Sequence, residues 1–127
     1  MGVTVFKFEF PGSVEEFVKK VNTWMTSTEE GNRYYDKHHD EDTILKIQRG
    51  KGVLTGPIVF EFRTGSAIGP SIDILVRGYV RMFGLSGYKQ DLRSDAITGA
   101  LPRRNGWKDM LKLLDYVGIS DHEYIFQ

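Results

Sequence analysis

Asp36, His38, His39, Asp40, Glu41 and Asp42 form the densest run of metal-ligand and proton-carrying side chains in the chain. Imidazole nitrogen and carboxylate oxygen together suit zinc, manganese or iron. Alternate residues of an extended segment share one side. On such a segment Asp36, His38, Asp40 and Asp42 would present one imidazole and three carboxylates to a single ion. The spacing matches neither H-E-x-x-H nor an EF-hand loop, whose glycine and closing glutamate are missing. A solvated loop accounts for the same residues and is the favoured reading. His122 is the only histidine elsewhere, so a multi-histidine catalytic site is not expected.

A second group is basic. Arg103, Arg104, Lys108 and Lys112 surround the start of a predicted helix, where amide groups and guanidinium forks attract phosphate oxygens. Trp107 beside them offers a ring for stacking, although its place among Met110, Leu111 and Leu114 at helical spacing favours a core role. A third group, Arg77, Tyr79 and Arg81, falls on one side of a long predicted strand. If that side faces away from the helices, Leu75, Tyr79 and Phe83 form a partly exposed apolar patch suited to a partner. Cross-strand pairing of the arginines with Glu61 is the simpler account. The Gly50-Lys51-Gly52 and 64–69 stretches lack the phosphate-loop pattern and read as turns. No G-x-S-x-G element is present.

Composition narrows the classes. Lys plus Arg and Asp plus Glu number 17 each, so net charge gives no reason to expect nucleic acid or an anionic membrane. Cysteine is absent, which removes disulfides, thiolate metal sites and a cysteine nucleophile. No apolar run exceeds three residues, well short of the roughly 20 a spanning helix needs. The N-terminus enters Val3-Thr4-Val5-Phe6 without a basic region or an apolar signal core, so the expected location is cytoplasmic. At 127 residues the chain is long enough to bury roughly two-thirds of its unfolded surface around one core. One domain over 1–127 is expected.

The elements follow from periodicity. Residues 3–10 alternate, with Phe6, Phe8 and Phe10 on one face. Ser13 and Glu16 make a capping box for a helix over 14–29, with Gly31 as a left-handed cap. Residues 32–43 read as a loop or a short edge strand. Strands are predicted over 43–49, 58–63 and 72–83, with Val53–Thr55 as an extension and 64–71 as a flexible connection. Gly78 marks a bulge or a close helix. Tyr88–Arg93 suggests a last strand and 94–100 a helical turn, within a stretch, 84–104, that is hard to read. Asn105 caps a second helix whose apolar face is Trp107, Met110, Leu111, Leu114 and Val117, with Lys108, Asp109, Lys112 and Asp115 opposite and Gly118 at its end. Residues 123–126 pack or pair.

The order β-α-β-β-β-α predicts a two-layer α+β fold: an antiparallel sheet of about four to six strands with two main helices. That order loosely resembles helix-grip lipid-binding proteins, a likeness of architecture that carries no residues across. The expected function is a small non-catalytic binding or interaction module, either a homodimer through the long strand face or a ligand binder with a cavity between sheet and helices. The alternatives are a metal-dependent enzyme using residues 36–42, and recognition of nucleic acid or a phosphorylated ligand by Arg77, Arg81, Arg103 and Arg104. No cofactor is identified.

Overall fold

Period-two strands with one aromatic face cannot leave that face in water, and two amphipathic helices supply its cover. In the computed structural model, which describes residues 4–37, 43–50, 57–81, 89–92, 100–119 and 123–126, this is the arrangement formed. The elements are β1 (Thr4–Phe10), α1 (Val14–Ser27), a single 3₁₀ turn (Gly31–Arg33), β2 (Tyr34–Asp36) and β3 (Leu45–Arg49). They continue with β4 (Ile58–Ile68), β5 (Ser71–Arg81), β6 (Lys89–Asp91), α2 (Ala100–Tyr116) and β7 (Glu123–Phe126). The seven strands form one antiparallel sheet in the order β2-β3-β4-β5-β1-β7, with β6 pairing β5 beyond the end of β1. The expected two-layer α+β class is what the chain forms. The short segments 34–36, 89–91 and 123–126 raise the strand number above the expected range.

The inner face is aromatic. Phe17 of α1 meets Phe8, Phe10 and Phe62 at ring-centroid distances of 5.9, 5.3 and 5.5 Å. Trp24 lies 5.3 Å from Tyr34, which stacks at 5.1 Å on Phe60. Each such pair adds about 0.5–1.5 kcal/mol beyond the burial of its area. The capping box forms as expected: the Glu16 amide donates to Ser13 Oγ at 3.2 Å, and the Ser13 amide to Glu16 Oε1 at 3.4 Å.

Several local expectations are corrected. Gly31 is not a left-handed cap; α1 ends at an extended Thr28, and Gly31 starts the 3₁₀ turn against the Trp24 carbonyl. Residues 64–71 are not a flexible connection. β4 runs on to Ile68, and a two-residue Gly69-Pro70 turn leads into β5, so the pair makes one long hairpin. The irregular register lies between Thr64 and Ala67 rather than at Gly78. Asn105 does not cap α2, which starts at Ala100 with Pro102 in its first turn, where proline's missing amide goes unused. Residues 53–55, and all of 94–100 except Ala100, fall outside the described residues.

The inward face of α2 is also rotated from the expected one. Arg103, Gly106, Asp109, Met110, Leu113, Leu114 and Val117 are buried, while Leu111 is exposed and Trp107 half-buried against Phe6. Two glycines help to fix this rotation. A β-carbon on Gly78 of β5 would come within 2.7 Å of Leu92 Cδ1, and one on Gly106 of α2 within 2.8 Å of Leu92 Cδ2. Leu92 therefore fills a slot that exists because strand and helix both lack a side chain there. Gly78→Ala is expected to lower unfolding free energy by about 1–3 kcal/mol through overpacking. In a Leu92→Ala background the same change should cost much less, a coupling that urea denaturation of the four proteins would measure.

Candidate functional site

Strand alternation sends the other set of side chains to the face away from the helices. Across the sheet, Lys46 of β3 stands opposite Glu61 of β4, which stands opposite Arg77 of β5, itself opposite Val5 of β1. The next row is Tyr35, Gln48, Val59 and Tyr79. In the other direction Arg63 faces Leu75, then Lys7. A bare sheet surface would leave these residues wet. Here Val59 and Tyr79 are 0 and 1 % exposed, Gln48 4 % and Glu61 9 %. The centre of the face is therefore closed off from solvent, while Lys7, Glu9 and Arg81 stand exposed around it.

Glu61 sits within that buried centre. Its Oε1 accepts from the Tyr79 hydroxyl at 2.5 Å and lies 3.8 Å from Lys46 Nζ. Its Oε2 lies 4.0 Å from the Arg77 guanidinium. The cations are thus at ion-pair rather than hydrogen-bond distance. Burial, then the bond to Glu61, pushes the Tyr79 phenol well above its ordinary value, so it stays protonated at neutral pH. Gln48 donates to Tyr35 Oη and to the Gly50 carbonyl, both at 2.9 Å, while its Oε1 is buried without a hydrogen-bond partner. Arg63 Nε is buried and unpartnered as well.

A second polar cluster lies inside the protein. Tyr34 and Arg49 are direct cross-strand partners on β2 and β3. The Tyr34 hydroxyl and the Arg49 guanidinium both donate to Asp109 Oδ2, each at 2.8 Å. One carboxylate on α2 thereby grips two strands. Burial first, and the charge of Asp109 second, hold the Tyr34 phenol far above its usual range. On the outer flank of α1, Val14, Glu15, Val18, Lys19, Asn22, Thr23 and Thr26 line an open groove of about 490 Å³, the two threonine hydroxyls donating to helix carbonyls.

The candidate residues read from the sequence do not converge on one place. Arg77, Tyr79 and Arg81 share the outer sheet face, as alternation required, but Tyr79 is buried rather than partly exposed, and Arg77 pairs with Glu61. Leu75 is half-buried, and Phe83 lies outside the described residues. Arg103 and Arg104 belong to the helical layer, the first buried and the second exposed. Asp36 ends β2 in an exposed position, whereas His38, Asp40 and Asp42 lie outside the described residues. Among the described residues no group of three or more His, Asp or Glu is placed to hold a metal, and no helix is long and apolar enough to cross a membrane. Lys46, Gln48, Glu61 and Arg63 were not singled out as one site by the sequence, and neither was Asp109. The alternation of Ile58–Arg63 already set Glu61 and Arg63 opposite the aromatic face; only register could seat Lys46 and Arg77 beside them.

The chain is thus an antiparallel two-layer α+β protein whose outer sheet face has a buried, charged centre. No protein-family model, curated protein or solved structure matches it.

Two tests follow from the buried carboxylates and phenols. Asp109→Asn is expected to cost roughly 2–4 kcal/mol, at or below the usual penalty for orphaning one member of a buried pair because Arg49 keeps some contact with water. Tyr34→Phe and Arg49→Met with Asp109→Leu, which removes all three polar partners, should recover most of that loss in a denaturation series. The tyrosines set an alkaline limit. Their folded pKa values exceed the unfolded value near 10, so the folded state holds more protons once the unfolded phenols ionise. Stability should be intact below about pH 9 and fall as pH rises past about 10. The slope should flatten in Tyr34→Phe with Tyr79→Phe, read from urea midpoints across that range.

Proposed function

We propose that this chain is a binding module acting without covalent chemistry, and that its site is the outer face of the sheet. The observation that carries this reading is the company around Glu61. Lys46, Arg63 and Arg77 gather on a face floored by Val59 and Tyr79, and two buried polar atoms of that face have no partner. Buried polar groups in folded proteins are nearly always satisfied, and exceptions concentrate where a ligand or water is taken up. The Tyr34–Asp109–Arg49 cluster supports the same reading by contrast, because its bonds tie α2 to β2 and β3 and so explain it as structure. Tyr79, kept protonated, is a hydrogen-bond donor at neutral pH rather than a general base.

The expected homodimer through the long strand has a narrower meaning on this fold. β5 is paired with β4 along one edge and with β1 and β6 along the other, so a second copy would have to meet the face of β5 rather than its edge. Titrating isotope-labelled protein with a panel of charged and neutral small molecules, followed by amide NMR, tests the reading. Perturbations should cluster at Lys46, Gln48, Val59, Glu61, Arg77 and Tyr79. Shifts confined to the α1 groove at Val14–Thr26, or a native-mass dimer that Arg77→Glu dissociates, would overturn it.

A further inference from the structure

We infer that the ligand of this face is a small molecule bearing an oxyanion, phosphate or carboxylate, held between Arg63, Arg77 and Lys46. The inference rests on the reading of the outer face as a binding site. Its first ground is charge. Lys46 and Arg77 share one carboxylate, Glu61, which spends its shortest bond on the Tyr79 hydroxyl, while the acids Glu9 and Asp73 stand farther along the same face. Lys46 and Arg77 are left at 3.8 and 4.0 Å, near enough to be positioned by Glu61 but still able to take a closer acceptor. Glu61 is thus a positioning residue.

The second ground is Arg63. Its Nε is buried with no hydrogen-bond partner, an expensive state for a donor on a charged group. A guanidinium edge presents paired N–H groups, and its matching acceptor is a planar or tetrahedral oxyanion. Geometry joins the two arginines. Because Glu61 faces Arg77 and Arg63 faces Leu75, Arg63 and Arg77 are diagonal cross-strand neighbours. Diagonal positions lie about 7–8 Å apart, within reach of two long side chains converging on one anion. Gln48 Oε1, on the same face two positions along β3 from Lys46, suits a hydroxyl or amide donor of the same ligand. Partial burial favours a small molecule over a nucleic-acid strand, because the Lys46 and Arg77 side chains are only 24 and 30 % exposed.

The test is calorimetric titration of the full chain with pyrophosphate and with citrate, against potassium chloride at equal ionic strength. One saturable site per chain is expected for an oxyanion. Arg63→Gln and Arg77→Gln should each weaken it on the order of ten-fold or more, as loss of a charge-assisted bond does. Arg104→Gln, on the helical layer, should leave it within about two-fold, the scale of a distant surface charge in salt. Arg63→Met separates binding from folding: it should abolish oxyanion binding while holding or raising the melting temperature, since it removes an unpaired buried donor. A lowered melting temperature in Arg63→Met, with oxyanion binding unchanged, would overturn the assignment. Neutral ligands that shift the face while pyrophosphate and citrate do not would keep the site and reject the oxyanion. A single-stranded oligonucleotide that binds far more tightly than pyrophosphate, with a steep salt dependence, would reject the small-molecule class.

Discussion

The pairing register of β4 with β5 is the constraint on which the rest of the molecule depends. It sets Phe60 opposite Gly78, Glu61 opposite Arg77 and Phe62 opposite Val76. A slip of one residue would turn Glu61 and Arg63 into the aromatic layer and Phe60 and Phe62 out of it. Burying an unpaired carboxylate among phenylalanines is costly enough to exclude that alternative. The same register brings Tyr79 to Glu61 and leaves an open slot over Gly78 for Leu92.

The helical layer is fixed by two dissimilar contacts. Leu92 wedged between Gly78 and Gly106 sets how closely α2 approaches the sheet. Asp109, bound by Tyr34 and Arg49, sets how α2 is rotated and ties it to the far side of the sheet at β2 and β3. Packing alone does not discriminate strongly between turning Leu111 or Leu113 inward. A buried charge does, because it is tolerable only where its partners wait. Near the C-terminus of α1, Lys112 of α2 reaches Glu30 at 2.7 Å, an exposed link between the two helical segments that salt will screen.

The two buried carboxylates differ in a way that bears on function. Asp109 takes both of its bonds at ordinary length from groups on two other elements, and the arrangement is complete as a structural clasp. Glu61 holds one close donor and two distant cations, beside an arginine nitrogen with no acceptor at all. Equal in type and similar in burial, the two sites diverge in satisfaction. That difference is the reason binding is proposed for the outer sheet face rather than for the cluster under α2. It also implies some loss of stability there, as is common where a protein keeps groups ready for a ligand.

Much of the fold was legible in the residues themselves. Alternating Phe6, Phe8 and Phe10, the Ser13–Glu16 cap and the spacing of Phe17, Val21 and Trp24 dictate β1 and α1 through local geometry. The pattern Ile58–Arg63 likewise placed Glu61 off the aromatic face. The three short strands were less visible, since three or four residues carry too little periodicity to declare themselves. What the sequence by itself determined was therefore the class: an antiparallel sheet with one aromatic face and two covering helices. Tertiary structure alone decided which charges meet. Lys46, Glu61, Arg63 and Arg77 lie on three strands, and only hydrogen-bonded register brings them together. Asp109 looked like a solvent-facing helix residue until Tyr34 and Arg49, sixty or more positions earlier, drew it inward. Local pattern records which side a residue faces, and only long-range pairing records what it faces.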